Sequence, residues 1–312
     1  MAKQTKYSNR TIPKISLHDF DTRIDTIAAE LVAAAETDGF FAVVGHEIPW
    51  HDVSAQFAQA ERFFALSDVV KSTVPFTRQN TGWEKAAQVR PSTGQPDQKE
   101  SYQMQFRKAS LAFMRKAHVV SEKLMICLAR GLGFDDDYFV RAHDITDPDI
   151  QTVLRLLHYF PLNPAARVPD THSRAGAHTD WGLLTLLFQR PGESGLEICP
   201  GRDVFTEFAL GDTWTSVEPI EGEIICNIGD LLMSWSDDRF KSNFHRVRTP
   251  RDPTVDYFGP RYSMAYFNQP VRSCRIQGPL KKYPTISGAE FIQAAIQRNY
   301  AALEARMALD RI

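Results

Sequence analysis

Gly176-Ala177-His178-Thr179-Asp180 stands just ahead of an apolar strand pattern. In a strand, residues two apart share a face, so His178 and Asp180 aim at one point. Neutral imidazole and carboxylate suit Fe(II), and two histidines with one carboxylate on an octahedral face leave three positions open. The third donor must come from elsewhere. His245 is best placed, because it follows the strand–turn–strand run EIICNIGDLLMSWSDDRFKSNF and precedes Arg246-Val247, at the rim of a β segment. Among the other histidines, His18, His46 and His51 fall in a helical half, His118 and His143 on or near a long helix, and His172 in a polar loop. His158 lies on a strand near the site and reads as lining its cavity. An HxD pair alone is a common motif, so a second constellation must support the metal.

Arg261-Tyr262-Ser263, followed by MAYFNQP, supplies one. Arg261 and Ser263 are again two apart and face inward together. A guanidinium takes a carboxylate through a bidentate pair and a neighbouring hydroxyl adds a third hydrogen bond. The distal carboxylate of 2-oxoglutarate needs that pairing; its 2-oxo acid end takes two open metal positions and leaves one for O2. Taken alone, Arg261 also fits a structural ion pair in a barrel wall.

These side chains need rigid elements to hold them. Residues 12–17 read as a short strand, and Ile24, Ile27, Leu31 and Ala35 place a helix over 21–38 with Gly39 after it, where a helix C-cap glycine belongs. FFAVVGHEIP (40–49) reads as a buried strand and 52–66 as a helix with Val53, Phe57, Ala60 and Phe64 on one face. Residues 72–100 predict a long loop with short strands, of the kind that lines active sites. A helix follows over about 108–131. After 150 the texture turns to short β-rich runs, TVLRLLHYF, LLTLLFQ, GLEIC, EIICNIG, LLMSW and YSMAYF, which indicate a barrel or sandwich. A helix at about 288–306 closes the chain. The expected organisation is a helical or mixed region 1–150 packed as one unit with a β domain 151–312.

Apolar residues make up 43% of the 312 and charged residues 24%, with a net charge of −2, so no global field recruits nucleic acid or an anionic membrane. Four scattered cysteines without a CxxC pair argue against a disulfide framework or thiolate zinc site. The polar start and the lack of a spanning apolar stretch predict a cytoplasmic protein, monomeric or a weak homo-oligomer.

HTDWGLLTLL, GLEI, IGDLLMSWSDDRFKSNFHRV and RYSMAYF, in this order, resemble the isopenicillin N synthase-like branch of the 2-oxoglutarate/Fe(II) dioxygenases. IPKISL, DGFFAVVGHEIP, FFALS and Asp97-Gln98-Lys99-Glu100 resemble its N-terminal region, so the resemblance runs from about residue 12 to 305. It implies an α+β fold with a mainly β core: a double-stranded β-helix (jelly roll) with flanking N- and C-terminal helices. It carries over His178, Asp180 and His245 as iron ligands and Arg261 and Ser263 as cosubstrate binders. The implied activity couples conversion of 2-oxoglutarate to succinate and CO2 with hydroxylation, desaturation or cyclisation of a small molecule, in specialised metabolism. Where relatives often have Asn-Tyr-Tyr-Pro, this chain has His158-Tyr159-Phe160-Pro161; Phe160 cannot make the second tyrosine's hydrogen bond, which leaves it to Tyr159 or His158. The loop RTPRDPTVDYFGP before Arg261 is longer than usual and reads as a surface insertion. Candidate pocket residues are Arg90, Tyr102, Gln103, His158, Trp181, Phe267 and Gln269; Trp181 fits barrel core equally well, and Arg90 a solvated loop. Three rival readings remain: an iron oxidase of the same fold without 2-oxoglutarate, a non-enzymatic binding protein on that fold, and a zinc hydrolase.

Overall fold

In the computed structural model, which describes residues 6–77, 79–89, 95–105, 110–165, 173–199 and 213–309, the helical and β periodicities largely settle where expected. Strands β1 (Lys6–Tyr7) and β2 (Lys14–Ser16) lead into α1 (Phe20–Thr37), whose buried face carries Ile27, Leu31 and Ala35. Gly39 ends it with a left-handed φ of 61°, and a Cβ there would lie 1.9 Å from the Lys241 carbonyl oxygen. Then follow β3 (Phe40–Val44), α2 (Trp50–Phe64) and the short α3 (Asp68–Lys71). The long loop holds β4 (Gly82–Lys85) and gives way to β5 (Lys99–Met104). The long helix α4 (Leu111–Leu132) packs against α1, and α5 (Tyr138–Ala142) follows it.

The rest is mostly sheet: β6 (Val153–Tyr159), β7 (Ala175–His178), β8 (Leu184–Gln189), β9 (Leu196–Ile198), β10 (Thr213–Val217) and β11 (Ile224–Ile228). One turn of helix, α6 (Asp230–Trp235), precedes β12 (His245–Val247), β13 (Arg261–Asn268), β14 (Arg275–Ile276), β15 (Ile286–Ser287) and α7 (Gly288–Leu309). An eight-stranded sheet runs β2-β3-β11-β8-β13-β6-β5-β4, and a five-stranded sheet runs β1-β10-β9-β12-β7. This is the jelly-roll core with flanking helices that the resemblance implied. The eight-stranded sheet is shared: β2 to β5, all before residue 150, flank strands that come after it.

LLMSW is a correction. It forms α6 rather than a strand, and a five-residue apolar run cannot distinguish the two by periodicity. Local hydrogen bonds decide it: the amides of Asp230 and Leu231 donate to the carbonyls of Asp180 and Trp181 at 2.8 and 3.2 Å. The helix start is thereby pinned to the turn that carries Asp180. Gly229 makes the fit possible, since a Cβ there would lie 2.1 Å from the Gly182 carbonyl oxygen. Gly229→Ala is therefore expected to destabilise the fold by about 1–3 kcal/mol through overpacking and to weaken metal binding as the turn shifts; thermal unfolding with and without metal measures both.

None of the four cysteines is in a disulfide, three of them are buried, and among the described residues no helix is long and apolar enough to cross a membrane.

Candidate metal centre and cosubstrate pocket

β7 and β12 pair antiparallel with His178 directly opposite His245, and the two ring centroids are 4.2 Å apart. Asp180 lies two residues past the end of β7, in the turn rather than on the strand. Its Oδ1 is 3.7 Å from His245 Nε2. One donor atom from each of His178, Asp180 and His245 falls within 4.8 Å of the others. Small side-chain adjustments bring such donors to the bonds of about 2.0–2.2 Å that nitrogen and oxygen ligands make.

Neighbouring groups aim these donors. His178 Nδ1–H donates to the Gly176 carbonyl at 2.8 Å, which leaves Nε2 as the basic nitrogen. Asp180 Oδ2 accepts from Thr185 Oγ1 at 2.6 Å and from Asn227 Nδ2 at 2.8 Å, which leaves Oδ1 to face His245. Asp230, at the head of α6, accepts from Ser242 and Thr179 hydroxyls and steadies the same turn. Asp97 accepts from the Gly176 amide at 2.9 Å, two residues before His178. The donor set and its orientation fit a ferrous ion. Sequence reasoning missed Thr185 and Asn227, yet each left a signal: a lone polar residue inside an apolar strand, LTLLFQ and IICNI. Removing a partner of this kind weakens metal affinity about 10- to 100-fold, so Asn227→Ala is expected to lower Fe(II) affinity by that factor with its fold retained, as read by anaerobic Fe(II) titration.

A cleft of about 900 Å³ of empty space, its mouth included, opens over this cluster. Arg261, Ser263 and Tyr159 line it, as do Gln103, Trp181, Phe267 and Gln269. Arg261 is 1% exposed. Its guanidinium donates to the Glu193 carbonyl oxygen at 3.1 Å, to Gln189 Oε1 at 2.8 Å and to Ser263 Oγ at 3.5 Å, and lies 4.9 Å above the Tyr159 ring centre. Burial lowers its pKa from the ordinary arginine value, with Tyr159 and Glu193 opposing. Among the described residues no carboxylate oxygen comes within ion-pair distance of it, so the structural ion pair that Arg261 also fitted does not form there.

Two expected pocket residues are corrections. Tyr102 and His158 point away from the cleft, since adjacent strand residues face opposite sides. On β5, Lys99 and Gln103 face in; on β6, Arg155, Leu157 and Tyr159 do. Tyr102 stacks on Phe63 at 4.4 Å. His158 stacks on Tyr262 at 4.7 Å and hydrogen-bonds Glu100 at 2.9 Å. Burial drives the Glu100 carboxyl up, but donation from His158, Lys71 and Trp83 outweighs it and holds it below its ordinary range. Tyr159, not His158, therefore stands beside Arg261. Trp181 takes the cleft side. Arg90 lies outside the described residues. Asn80, Gln88, Lys99 and Arg155 line the cleft without having been expected.

The model of the 2OG-Fe(II) oxygenase superfamily matches residues 151–270, and that of the non-haem dioxygenase in morphine synthesis N-terminal region matches 12–121. The chain is 30% identical to a UPF0676 protein of Schizosaccharomyces pombe over 93% of this chain and 92% of that one. It is 26% identical to the 2-oxoglutarate-Fe(II) type oxidoreductase hxnY of Emericella nidulans over 87% and 84% of the two chains. In three dimensions it is similar to a full-length Neurospora crassa protein crystallised with alpha-KG, at a TM-score of 0.79 and 26% identity over 94% of this chain and 98% of that one. The complex of that Neurospora crassa protein with alpha-KG and thymine gives a TM-score of 0.77 and 27% identity over 96% and 99%. With both halves matched and the likeness running nearly end to end, the chain belongs to the 2OG-Fe(II) oxygenase superfamily, the non-haem iron enzymes that act with 2-oxoglutarate and O2.

Proposed function

We propose that His178, Asp180 and His245 hold the Fe(II), and that Arg261, Ser263 and Tyr159 receive the distal carboxylate of 2-oxoglutarate. One observation carries the reading: a fully buried guanidinium with no carboxylate oxygen within ion-pair distance among the described residues shares a cleft with a two-histidine, one-carboxylate cluster. A buried charge needs a counter-charge, and a dicarboxylate that also chelates iron provides one. O2 is the oxidant: a bound iron would activate it, 2-oxoglutarate would give up two electrons and leave as succinate and CO2, and the substrate would give up the other two.

The protein's part is positioning. Thr185 and Asn227 fix the Asp180 carboxylate, Gly176 fixes the His178 tautomer, and the apolar walls Leu157, Leu187, Val247 and Ala265 keep water from the reacting centre. The substrate is a small molecule that is hydroxylated, desaturated or cyclised, in specialised metabolism. The thymine-bound complex of the Neurospora crassa protein supports a compact occupant.

Anaerobic addition of Fe(II) and then 2-oxoglutarate should produce the weak visible charge-transfer band, and a substrate panel scored for succinate should show turnover coupled to product. Turnover without 2-oxoglutarate consumption would instead identify an iron oxidase of the same fold.

A further inference from the structure

We infer that Arg155 is the substrate's anchor and that the substrate is a small monoanionic carboxylate; the inference rests on the metal and cosubstrate reading above. Three cationic side chains line the cleft: Lys99, Arg155 and Arg261. Lys99 is already paired with the buried Asp97 carboxylate. Arg261 faces 2-oxoglutarate. Asp180, the one carboxylate in the described lining, faces the metal. A ferrous ion and Asp180 together carry one positive charge, 2-oxoglutarate two negative charges and Arg261 one positive charge, so these four cancel. The guanidinium of Arg155 is left over, in a cleft where an unmatched charge is costly.

Its surroundings fix it for recognition. Arg155 Nε donates to Gln103 Oε1 at 2.5 Å, and Gln103 Nε2 donates in turn to the Asn80 carbonyl oxygen. The guanidinium lies 5.4 Å above the Phe267 ring centre. Among the described residues no carboxylate pairs with it, and its terminal nitrogens have no hydrogen bond there. This leaves the planar fork that grips carboxylates in bidentate fashion.

The sheet register places the group. Phe267 pairs with Thr185, whose hydroxyl holds Asp180, so the Arg155–Phe267 stack lies at the level of the metal cluster. β6 and β8 flank β13 on opposite sides, so Arg155 stands about 10 Å across the sheet from the Thr185 strand, at ~4.8 Å per strand. Along β6 it stands four residues from Tyr159, about 13 Å from the Arg261 end. The two arginines are thus separate poles of one cleft, with room between them for both cosubstrate and substrate. Gln269, 4% exposed, lies against Gly182 beside the metal turn, and its carboxamide oxygen has no hydrogen-bond partner among the described residues. It offers an acceptor to an N–H or O–H on the same substrate.

The test is calorimetric and needs no turnover. Anaerobic enzyme loaded with Fe(II) and saturating 2-oxoglutarate is titrated with benzoate, cinnamate, hexanoate and N-acetylglycine, each against its primary amide. Loading first fills the Arg261 pole, so an added acid reports on the other. At least one acid should bind wild type about 10- to 100-fold more tightly than its amide, the range of a charged hydrogen-bonded contact. Arg155→Gln should erase that preference and Arg155→Lys should keep part of it, with the charge-transfer band of both variants showing an intact fold. If no acid is preferred over its amide, or if the preference survives Arg155→Gln, the inference is overturned. If wild type forms no Fe(II)–2-oxoglutarate complex at all, the underlying site reading fails instead, and the inference falls with it.

Discussion

Asp180→Ala is expected to abolish Fe(II) binding at micromolar metal and to reduce turnover by about a thousandfold or more, the ~4 kcal/mol scale on which a bound metal acts. The loss is large because this carboxylate has two jobs. Its Oδ1 faces the histidines, while its Oδ2 accepts both the Thr185 hydroxyl and the Asn227 amide. Truncation therefore removes the anionic donor and strands two buried donors together. Asp180→Asn separates these effects: the amide oxygen can still accept from Thr185 and Asn227, so stability should hold while the anionic donor is lost. Calorimetric metal titration, succinate assay and metal-free melting temperature resolve the three quantities. Full turnover in either variant would remove the metal assignment.

Arg261→Leu is expected to raise the Kd for 2-oxoglutarate by about 30- to 5,000-fold, the ~2–5 kcal/mol that truncating one member of a buried charge pair costs. Fe(II) affinity should stay within about twofold, because Arg261 contacts no metal donor and its described hydrogen bonds go to Glu193, Gln189 and Ser263. Arg261→Lys should rescue little, since a lysine cannot reproduce the planar fork that meets a carboxylate while also holding Gln189. A 2-oxoglutarate titration followed by the charge-transfer band measures the shift directly. An unchanged Kd would transfer the buried guanidinium to another carboxylate and remove Arg261 from the cosubstrate site.

Two of the three proposed metal donors and the arginine–serine pair were legible from the sequence because their spacing is local, whereas His245 was read from its place at the rim of a β segment. His178 and Asp180 are two apart, and so are Arg261 and Ser263. The strand argument holds for the arginine pair on β13 but only half for the histidine–aspartate pair, because β7 stops at His178. Asp180 is aimed by hydrogen bonds across the turn, which no local periodicity records. The same period of two would have excluded Tyr102 once Gln103 was placed in the cleft, and His158 once Tyr159 was. Arg155 left a comparable trace, as the arginine set between the apolar residues Leu154 and Leu156 of VLRLLHY. The helix α6 was illegible for a different reason: Leu231, Leu232 and Trp235 are buried in either conformation, and only its backbone bonds to the Asp180 turn choose between them.

The eight-stranded sheet has a consequence for how such an enzyme can change. The proposed iron donors and Arg261 come from strands and turns after residue 150, while Asn80, Gln88, Lys99 and Gln103 reach the cleft from β5 and the chain leading into it, beyond β6. Reactivity is therefore written after residue 150, while the selectivity that does not rest with Arg155 and Gln269 is written before it. A graft spanning Asn80 to Gln103 from a relative would retune what is accepted while inheriting the oxidising apparatus unaltered. Besides the β5–β6 pairing, the Asp97 bond to the Gly176 amide ties that stretch to the strand that carries His178, so successful chimaeras must keep Asp97 in place.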